Sequence, residues 1–192
     1  MPGGHSGHGG AHAGHNGATK PVGMGRQAGG DKDYDKDGKA WADKLSSEER
    51  GAVKGYAEDS FIRINESLRH GGVPEPETIV IDRALAKSPL EKDMTVFRGG
   101  IDPGKGKVFR DKGFVSTTMD SKLLDNSSYD AIWEISVPKG TNAGYVNHAA
   151  GTAGTRMDEK ELLLQRGLKY KIISRESVGG KVRIKAEVVG SK

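Results

Sequence analysis

Three short motifs in the 192-residue chain carry side chains that could bind or transform a ligand. The first is Phe97-Arg98-Gly99-Gly100, in which an arginine at the end of a predicted strand precedes glycines that let a ligand approach the backbone. The second is the segment 113–118, GFVSTT, a predicted strand that ends in three hydroxyl side chains. The third begins a predicted strand with Glu159 and Glu161, which the two-residue period of a strand places on the same face.

Each motif by itself has an ordinary explanation. Arg98 could form a surface ion pair, the hydroxyl residues are good strand formers, and Glu159 with Glu161 could be a solvated strand face. The order of the motifs is more informative than any one of them. An arginine, a Ser-Thr-Thr and a Glu-x-Glu each stand on a predicted strand that follows a helical N-terminal half.

This ordered set resembles the R-S-E class of mono-ADP-ribosyltransferases, in particular the arginine-specific toxin and phage type with a Glu-x-Glu motif. The resemblance extends to a helix with Tyr56, Ile64-Asn65 and Leu68-Arg69, which is similar to the Y…IN..LR pattern of toxin-type members, and it covers residues 45–173. The hydroxyl motif departs from the commoner Ser-Thr-Ser in its last residue. The Gly/His-rich N-terminus lies outside the resemblance.

The resemblance implies an enzyme that breaks the bond between nicotinamide and ribose in NAD, its co-substrate, and passes ADP-ribose to a nucleophile. Because the transition state is oxocarbenium-like, negative charge is needed near the ribose. The resemblance assigns that charge to Glu161, the support of Glu161 to Ser116, and the binding of phosphate or ribose oxygens to Arg98. The residues expected to contact NAD are Arg98, Gly99, Ser116, Thr117, Asn65 and Tyr56. No metal site is expected.

Glu159 is expected to select the acceptor. In the class that this chain resembles, a glutamate two residues before the catalytic one marks enzymes that modify arginine, and a carboxylate can pair with a guanidinium and accept its proton. The segment 145–158 is expected to be a mobile loop that presents the target, with Gly151 and Gly154 allowing movement. An NAD glycohydrolase and a transferase that modifies RNA stay open as alternatives, the second because of the basic segment 166–192.

The expected partners follow from this reaction. They are a target protein that presents an arginine and, where the producing cell must protect itself, a neutralising immunity protein. A formal net charge of +4 does not favour nucleic acid as the partner. No apolar run approaches the roughly 18 to 20 residues of a membrane span, and the N-terminus lacks a signal-peptide pattern. The localisation is therefore open, with action in the cytoplasm of a target cell after delivery fitting the resemblance.

The elements that must position these motifs are segregated, with helices first and strands after. A capping box at Ser46 and Glu49 begins a predicted helix over 46–69, which Gly51 and Gly55 could divide, and a second helix is predicted over 76–87. Strands are predicted over 95–98, 114–118, 131–137, 143–146, 159–164, 170–175 and 182–189. This order favours an α+β fold with a mainly antiparallel sheet. The resemblance implies N-terminal helices packed on a split β-sandwich that clasps NAD.

The first 40 residues are expected to be a disordered arm or linker, and residues 41–192 the catalytic domain. Twelve of the 29 glycines and four of the six histidines fall in this arm, which has little apolar surface to bury. The histidines have helix-like spacing, but the interleaved glycines argue against a metal clamp; they are His5, His8, His12 and His15. Residues 33–38 match the start of a calcium loop, but Lys44 stands where its last glutamate belongs, so a charged linker is favoured. The chain has no cysteine, which excludes disulfides and thiolate chemistry.

Overall fold

A computed structural model of the protein describes residues 31–104, 106–125, 127–151 and 159–190. Within these residues, helices precede strands along the chain, and the strands form one eight-stranded sheet. The α+β class expected from the sequence is confirmed. A search of the same residues finds no helix with the length and apolar character needed to cross a membrane.

The first elements of the described chain are four α-helices: α1 (Asp31–Lys44), α2 (Ser47–Gly55), α3 (Phe61–Arg69) and α4 (Pro76–Ala86). A π-helical segment, Tyr56–Ser60, joins α2 to α3, so the helix predicted over 46–69 is a helical run with a wider turn near its centre. The expected capping box is present, because the Glu49 N–H donates to Ser46 Oγ and the Ser46 N–H donates to the Glu49 carboxylate. Pro76 stands in the first turn of α4, where a missing N–H costs no helical hydrogen bond.

Helix α1 corrects the expected boundary of the N-terminal arm. Residues 31–40 are helical, and the side chains of Tyr34 and Trp41 are only 3% and 2% exposed. Tyr34, Gly38, Trp41 and Leu45 have the spacing of one helix face, which is a sequence signal for this helix. The charged residues between them obscured that signal.

The interpretations of residues 33–38 as a calcium loop or as a charged linker are both wrong, because the backbone there is helical. The rest of the predicted arm, including the four histidines, lies outside the described residues.

The strands are β1 (Met94–Gly100), β2 (Val108–Arg110), β3 (Val115–Thr118), β4 (Ala131–Val137), β5 (Ala143–Tyr145), β6 (Glu161–Leu164), β7 (Lys169–Val178) and β8 (Lys181–Gly190). Their order across the sheet is β2-β7-β8-β4-β1-β3-β6-β5. Neighbouring strands are antiparallel except β4 and β8, which are parallel. Every strand predicted from the sequence is present, with shifts at the ends, and β2 is additional.

The sheet divides between β1 and β3. These two strands share one registered pair, Phe97 with Thr118, whereas β1 and β4 share seven. We call β2, β7, β8, β4 and β1 the five-stranded half, and β3, β6 and β5 the three-stranded half. The expected split sheet is confirmed, and Arg98 and Ser116 stand on the two strands that border the split.

Two hydrophobic clusters hold the halves and the helices together. The first cluster joins Val96 and Trp133 of the five-stranded half to Leu162 and Leu164 of β6. The second joins Leu163 of β6 to buried residues of α1, α2, α3 and α4. Strand β6 is therefore buried on both faces, with the other half of the sheet on one side and the helices on the other.

Two segments around the Glu-x-Glu motif differ from expectation. Strand β6 begins at Glu161, so Glu159 precedes the strand, and Lys160 between them has a φ of 43°, a value that residues other than glycine adopt only rarely. Strand periodicity therefore does not relate the two glutamates. The segment predicted as a mobile loop begins with a short buried helix, α5 (Val146–Ala149), and residues 152–158 lie outside the described residues.

Candidate active site

A cavity of about 740 Å³ opens at the split in the sheet. This volume lies within the range of roughly 300–1,000 Å³ that small-molecule sites occupy. The cavity is lined by every residue for which the sequence predicts a role in catalysis or NAD binding: Arg98, Gly99, Ser116, Thr117, Glu159, Glu161, Tyr56 and Asn65. The fold thus brings together side chains from the helical run, from both halves of the sheet and from the turn before β6.

Glu161 and Ser116 lie on the same face of the three-stranded half. In the antiparallel register, Ser116 is opposite Leu163 and Thr118 is opposite Glu161. Opposite residues point to the same face, and so do residues two apart on one strand, which makes Ser116 and Glu161 diagonal neighbours. The helices cover this face, because Leu163 belongs to the helical cluster.

Tyr56 and Asn65 connect the helical run to β3. The Asn65 side-chain amide donates to Tyr56 Oη at 2.8 Å, and Asn65 Oδ1 accepts from the Phe114 N–H at 2.9 Å. The side chain of Ser116 lies close enough to the Tyr56 hydroxyl to lower its pKa slightly. Burial raises the pKa of Tyr56 to about 12, with the nearby charge of Glu161 as a smaller cause, so the phenol stays protonated at neutral pH.

The two threonines of the Ser-Thr-Thr motif bond to the backbone around Glu161. Thr118 Oγ1 donates to the carbonyl oxygen of Glu159 at 2.7 Å, and Thr117 Oγ1 donates to that of Leu162 at 2.7 Å. Thr117 is only 4% exposed. Its contact with NAD stays a prediction, while its hydroxyl already stabilises the strand that begins at Glu161.

A shared carboxylate joins Arg98 to a second arginine. Arg69 donates two hydrogen bonds to Asp111, from Nε at 2.9 Å and from Nη2 at 3.0 Å, and Arg98 Nη1 lies 3.6 Å from the same carboxylate. The hydrogen bonds to Asp111 raise the pKa of Arg69. Two cations and one anion leave a net positive charge on this side of the cavity, which Arg69 and Arg98 both line.

Arg69 and Asp111 were not among the site residues predicted from the sequence. Arg69 stands in the helix pattern that supports the resemblance, so that pattern could have indicated it. Asp111 directly follows β2 and is 42 residues from Arg69 in the chain. Neither its residue type nor the sequence around it predicts the ion pair with Arg69.

Gly99 lies directly beneath the ring of Tyr129. A Cβ atom on Gly99 would overlap sterically with the Tyr129 ring. A larger side chain at position 99 would therefore displace the Tyr129 ring from this position. Tyr129 lines the cavity and is half exposed. No motif in the sequence predicted a role for Tyr129.

The model of the family described as ADP-ribosyltransferase exoenzyme matches residues 32–191. The chain belongs to this family. The match begins within α1, which agrees with the burial of Tyr34 and places this helix in the folded domain. The resemblance based on the arginine, Ser-Thr-Thr and Glu-x-Glu motifs is confirmed.

Relatives of known name or structure agree with this membership. An NAD(+)–arginine ADP-ribosyltransferase of Enterococcus faecalis is 28% identical over 163 residues, covering 74% of this chain and 32% of the relative. The chain thus spans about a third of the length of that relative. Plx2a, an ADP-ribosyltransferase toxin from Paenibacillus larvae, has a TM-score of 0.69 and 26% identity, covering 83% of this chain and 94% of Plx2a. For the C3larvin toxin of the same organism the TM-score is 0.63 and the identity 26%, covering 78% and 99%.

Proposed function

We propose that this protein transfers ADP-ribose from NAD to an arginine side chain of a target protein and releases nicotinamide. The main support for this proposal is that one cavity, at the split of the sheet, is lined by Arg98, Ser116, Glu159 and Glu161. The name of the relative from Enterococcus faecalis, an NAD(+)–arginine ADP-ribosyltransferase, supports both the co-substrate and the acceptor.

The charge and shape of the cavity suit NAD. The guanidinium groups of Arg98 and Arg69 offer hydrogen-bond donors to the two phosphates, and the single charge of Asp111 leaves them an excess positive charge. Gly99 offers backbone groups to the nicotinamide amide, and the Tyr129 ring above it offers an apolar surface to the nicotinamide ring. Tyr56 and Asn65 tie the helical run to Phe114, directly before the strand that carries Ser116.

In the reaction, the bond between ribose C1′ and the nicotinamide nitrogen breaks, and its electron pair leaves with neutral nicotinamide. The positive charge that develops on the ribose faces the Glu161 carboxylate, which stabilises it electrostatically. Ser116, a diagonal neighbour of Glu161 on β3, is placed to orient this carboxylate. A guanidinium nitrogen of the acceptor then bonds to C1′, and Glu159 accepts the proton that this nitrogen loses.

The position of Glu159 fits an acceptor on another protein. It is exposed at the cavity, and it precedes β6 instead of lying within it, so a side chain from outside can reach it. The partner proposed is therefore a target protein that presents an arginine at this opening. The toxin relatives Plx2a and C3larvin support action inside a target cell.

Replacing the carboxylate that faces the ribose tests the assignment of the reaction. We expect Glu161→Gln to lower both nicotinamide release and arginine labelling by about 10²–10³-fold or more, because one electrostatic stabiliser of the transition state is lost. Nicotinamide release from NAD and labelling of agmatine are measured on the same preparation. Near-normal nicotinamide release by a folded variant would show that a different carboxylate faces the ribose.

Replacing Glu159 tests the acceptor. We expect Glu159→Gln to lose arginine labelling while it keeps much of the nicotinamide release, because water needs no guanidinium partner and Glu161 is intact. Glu187→Gln is the matched control, since Glu187 pairs with Lys171 in the five-stranded half and should leave both rates unchanged. Equal loss of nicotinamide release and arginine labelling in Glu159→Gln would contradict transfer to arginine. So would an incubation of the wild-type protein with labelled NAD and whole-cell lysate in which the label enters RNA instead of protein.

A further inference from the structure

The hydroxyl of Tyr34 on α1 donates a hydrogen bond to the backbone carbonyl of Glu161, with 2.9 Å between the oxygens. The two residues are 127 positions apart, and Tyr34 is 3% exposed. Burial raises the pKa of the Tyr34 hydroxyl, and the charge of Glu161 raises it further. The hydroxyl therefore stays protonated and available as a donor at neutral pH.

The bond from Tyr34 is one of four that hold consecutive carbonyl groups, from Glu159 to Leu162. The other three donors belong to β3 and the residue after it: Thr118 Oγ1 to Glu159, the Met119 N–H to Lys160, and Thr117 Oγ1 to Leu162. The Lys160 backbone between the glutamates has a positive φ, which costs conformational energy and persists only where surrounding contacts enforce it.

Helix α1 is itself held firmly against the three-stranded half. The Trp41 Nε1–H donates to the Ala84 carbonyl of α4 at 2.9 Å, and the Trp41 ring lies so close to Gly144 of β5 that a Cβ there would overlap with it. The Tyr34 ring meets Tyr145 of β5 edge to face, with centroids 5.4 Å apart. The Tyr34 ring is therefore held by its own contact with Tyr145, in addition to the bond from its hydroxyl to Glu161.

We propose that Tyr34 is a positioning residue for catalysis. It fixes the backbone of Glu161 and thereby the position of the Glu161 carboxylate relative to the ribose. The inference builds on the proposed transfer of ADP-ribose. Its reason is that electrostatic stabilisation depends on the carboxylate lying where charge develops, and a displacement of about 1 Å can cost about 100-fold in rate. Helix α1 is thus part of the catalytic architecture, although it contributes no residue to the cavity lining.

The test is Tyr34→Phe, which removes one oxygen and keeps the ring. We expect the kcat of nicotinamide release to fall between about 10- and 100-fold, with the KM for NAD unchanged, because Arg98, Arg69 and Tyr129 are untouched. Placing 4-aminophenylalanine at position 34 restores an N–H donor and should recover most of the lost rate.

Trp41→Phe is the matched control. It removes another buried hydrogen bond from α1 to a backbone carbonyl, but that carbonyl belongs to Ala84 in α4. We expect a fall in melting temperature at least as large as that of Tyr34→Phe, because buried ring volume is lost as well, and a kcat within about twofold of the wild-type value. If Tyr34→Phe keeps its kcat, or if Trp41→Phe lowers kcat equally, Tyr34 is only structural and the proposal is overturned.

Hydrogen exchange gives a second readout that is independent of activity. In Tyr34→Phe, the amides of residues 159–164 should exchange faster than in the wild-type protein, and in Trp41→Phe they should not. If exchange there is unchanged in Tyr34→Phe, the hydroxyl does not fix this segment and the proposal fails. If the wild-type protein releases no nicotinamide from NAD, the proposed function fails instead, and the exchange result still decides whether Tyr34 holds Glu161.

Discussion

The two halves of the sheet contribute opposite parts of the site and differ in how firmly they are held. The three-stranded half carries Ser116 and Glu161, and its strand β6 is buried on both faces. The five-stranded half carries Arg98, and much of its strand β7, next to the edge strand β2, is exposed, including Ile173 at 55%. Hydrogen bonds from β3 and α1 add further constraints to β6.

This difference matches what the proposed reaction would require of each half. A carboxylate that stabilises an oxocarbenium has to lie where the charge develops, so its backbone must be fixed. A guanidinium that binds phosphates reaches them at the end of a long side chain and through several donors, so it tolerates small movements of its strand. We therefore expect substitutions in the three-stranded half to lower the stability of the protein and the rate of the proposed reaction more than substitutions in the five-stranded half.

The largest effect expected in a direct comparison of the halves is from Leu163→Ala. This substitution empties a fully buried position in β6, so the free energy of unfolding should fall by about 2–5 kcal/mol. Ile173→Ala on β7 is the counterpart and should change stability by less than about 0.5 kcal/mol. Denaturant unfolding of both variants measures the difference, and equal losses would show that the halves are equally constrained.

Alkaline pH should act next most strongly, through Tyr56. Its pKa is about 12 in the folded protein against an ordinary value of 10.0. Below pH 10 the Tyr56 hydroxyl is protonated in both the folded and the unfolded protein, so its full contribution to stability is present. Between pH 10 and 12 it ionises only in the unfolded protein, so the free energy of unfolding falls as the pH rises. The loss should approach about 2–3 kcal/mol. In Tyr56→Phe, unfolding measured across this range should be less steeply pH-dependent, and an unaltered slope would exclude Tyr56 as the cause.

Arg98→Lys tests the tolerance of the five-stranded half. Lysine keeps the charge but loses the planar fork, so the KM for NAD should rise about tenfold, or about 1.4 kcal/mol, while kcat changes little. Arg183→Lys on the exposed face of β8 should change neither constant. A large fall in kcat at unchanged KM would instead place Arg98 at the reacting centre.

Tyr170→Phe should have the smallest effect. Tyr170 of β7 is 1% exposed, and within the described part of the chain its hydroxyl has no hydrogen-bond partner. Removing an unpaired buried hydroxyl should leave stability within about 1 kcal/mol or raise it, whereas Tyr34→Phe loses a bond that is made. A loss well above 1 kcal/mol in thermal unfolding would reveal a partner such as a buried water.

Much of the fold could be predicted because local signals were strong. The capping box at Ser46 and Glu49 marks the start of α2, and the alternating residues of β4 match the strand predicted over 131–137. Helix α1 was missed because its buried face consists of a few residues among many charged ones. Its burial depends on β5, which comes about a hundred residues later in the chain, and the close approach of Trp41 to Gly144 cannot be seen from either segment alone.

The groups available for chemistry could be recognised from residue type and order, as for Arg98, Ser116, Glu159 and Glu161. How these groups are held depends on contacts that form when the chain folds. The contacts from Tyr34 to Glu161 and from Asp111 to Arg69 join residues far apart in the chain, and the left-handed Lys160 backbone places Glu159 outside the strand pattern. Residue type fixes charge and hydrogen-bonding capacity, whereas position follows from packing between distant segments, which local patterns do not encode.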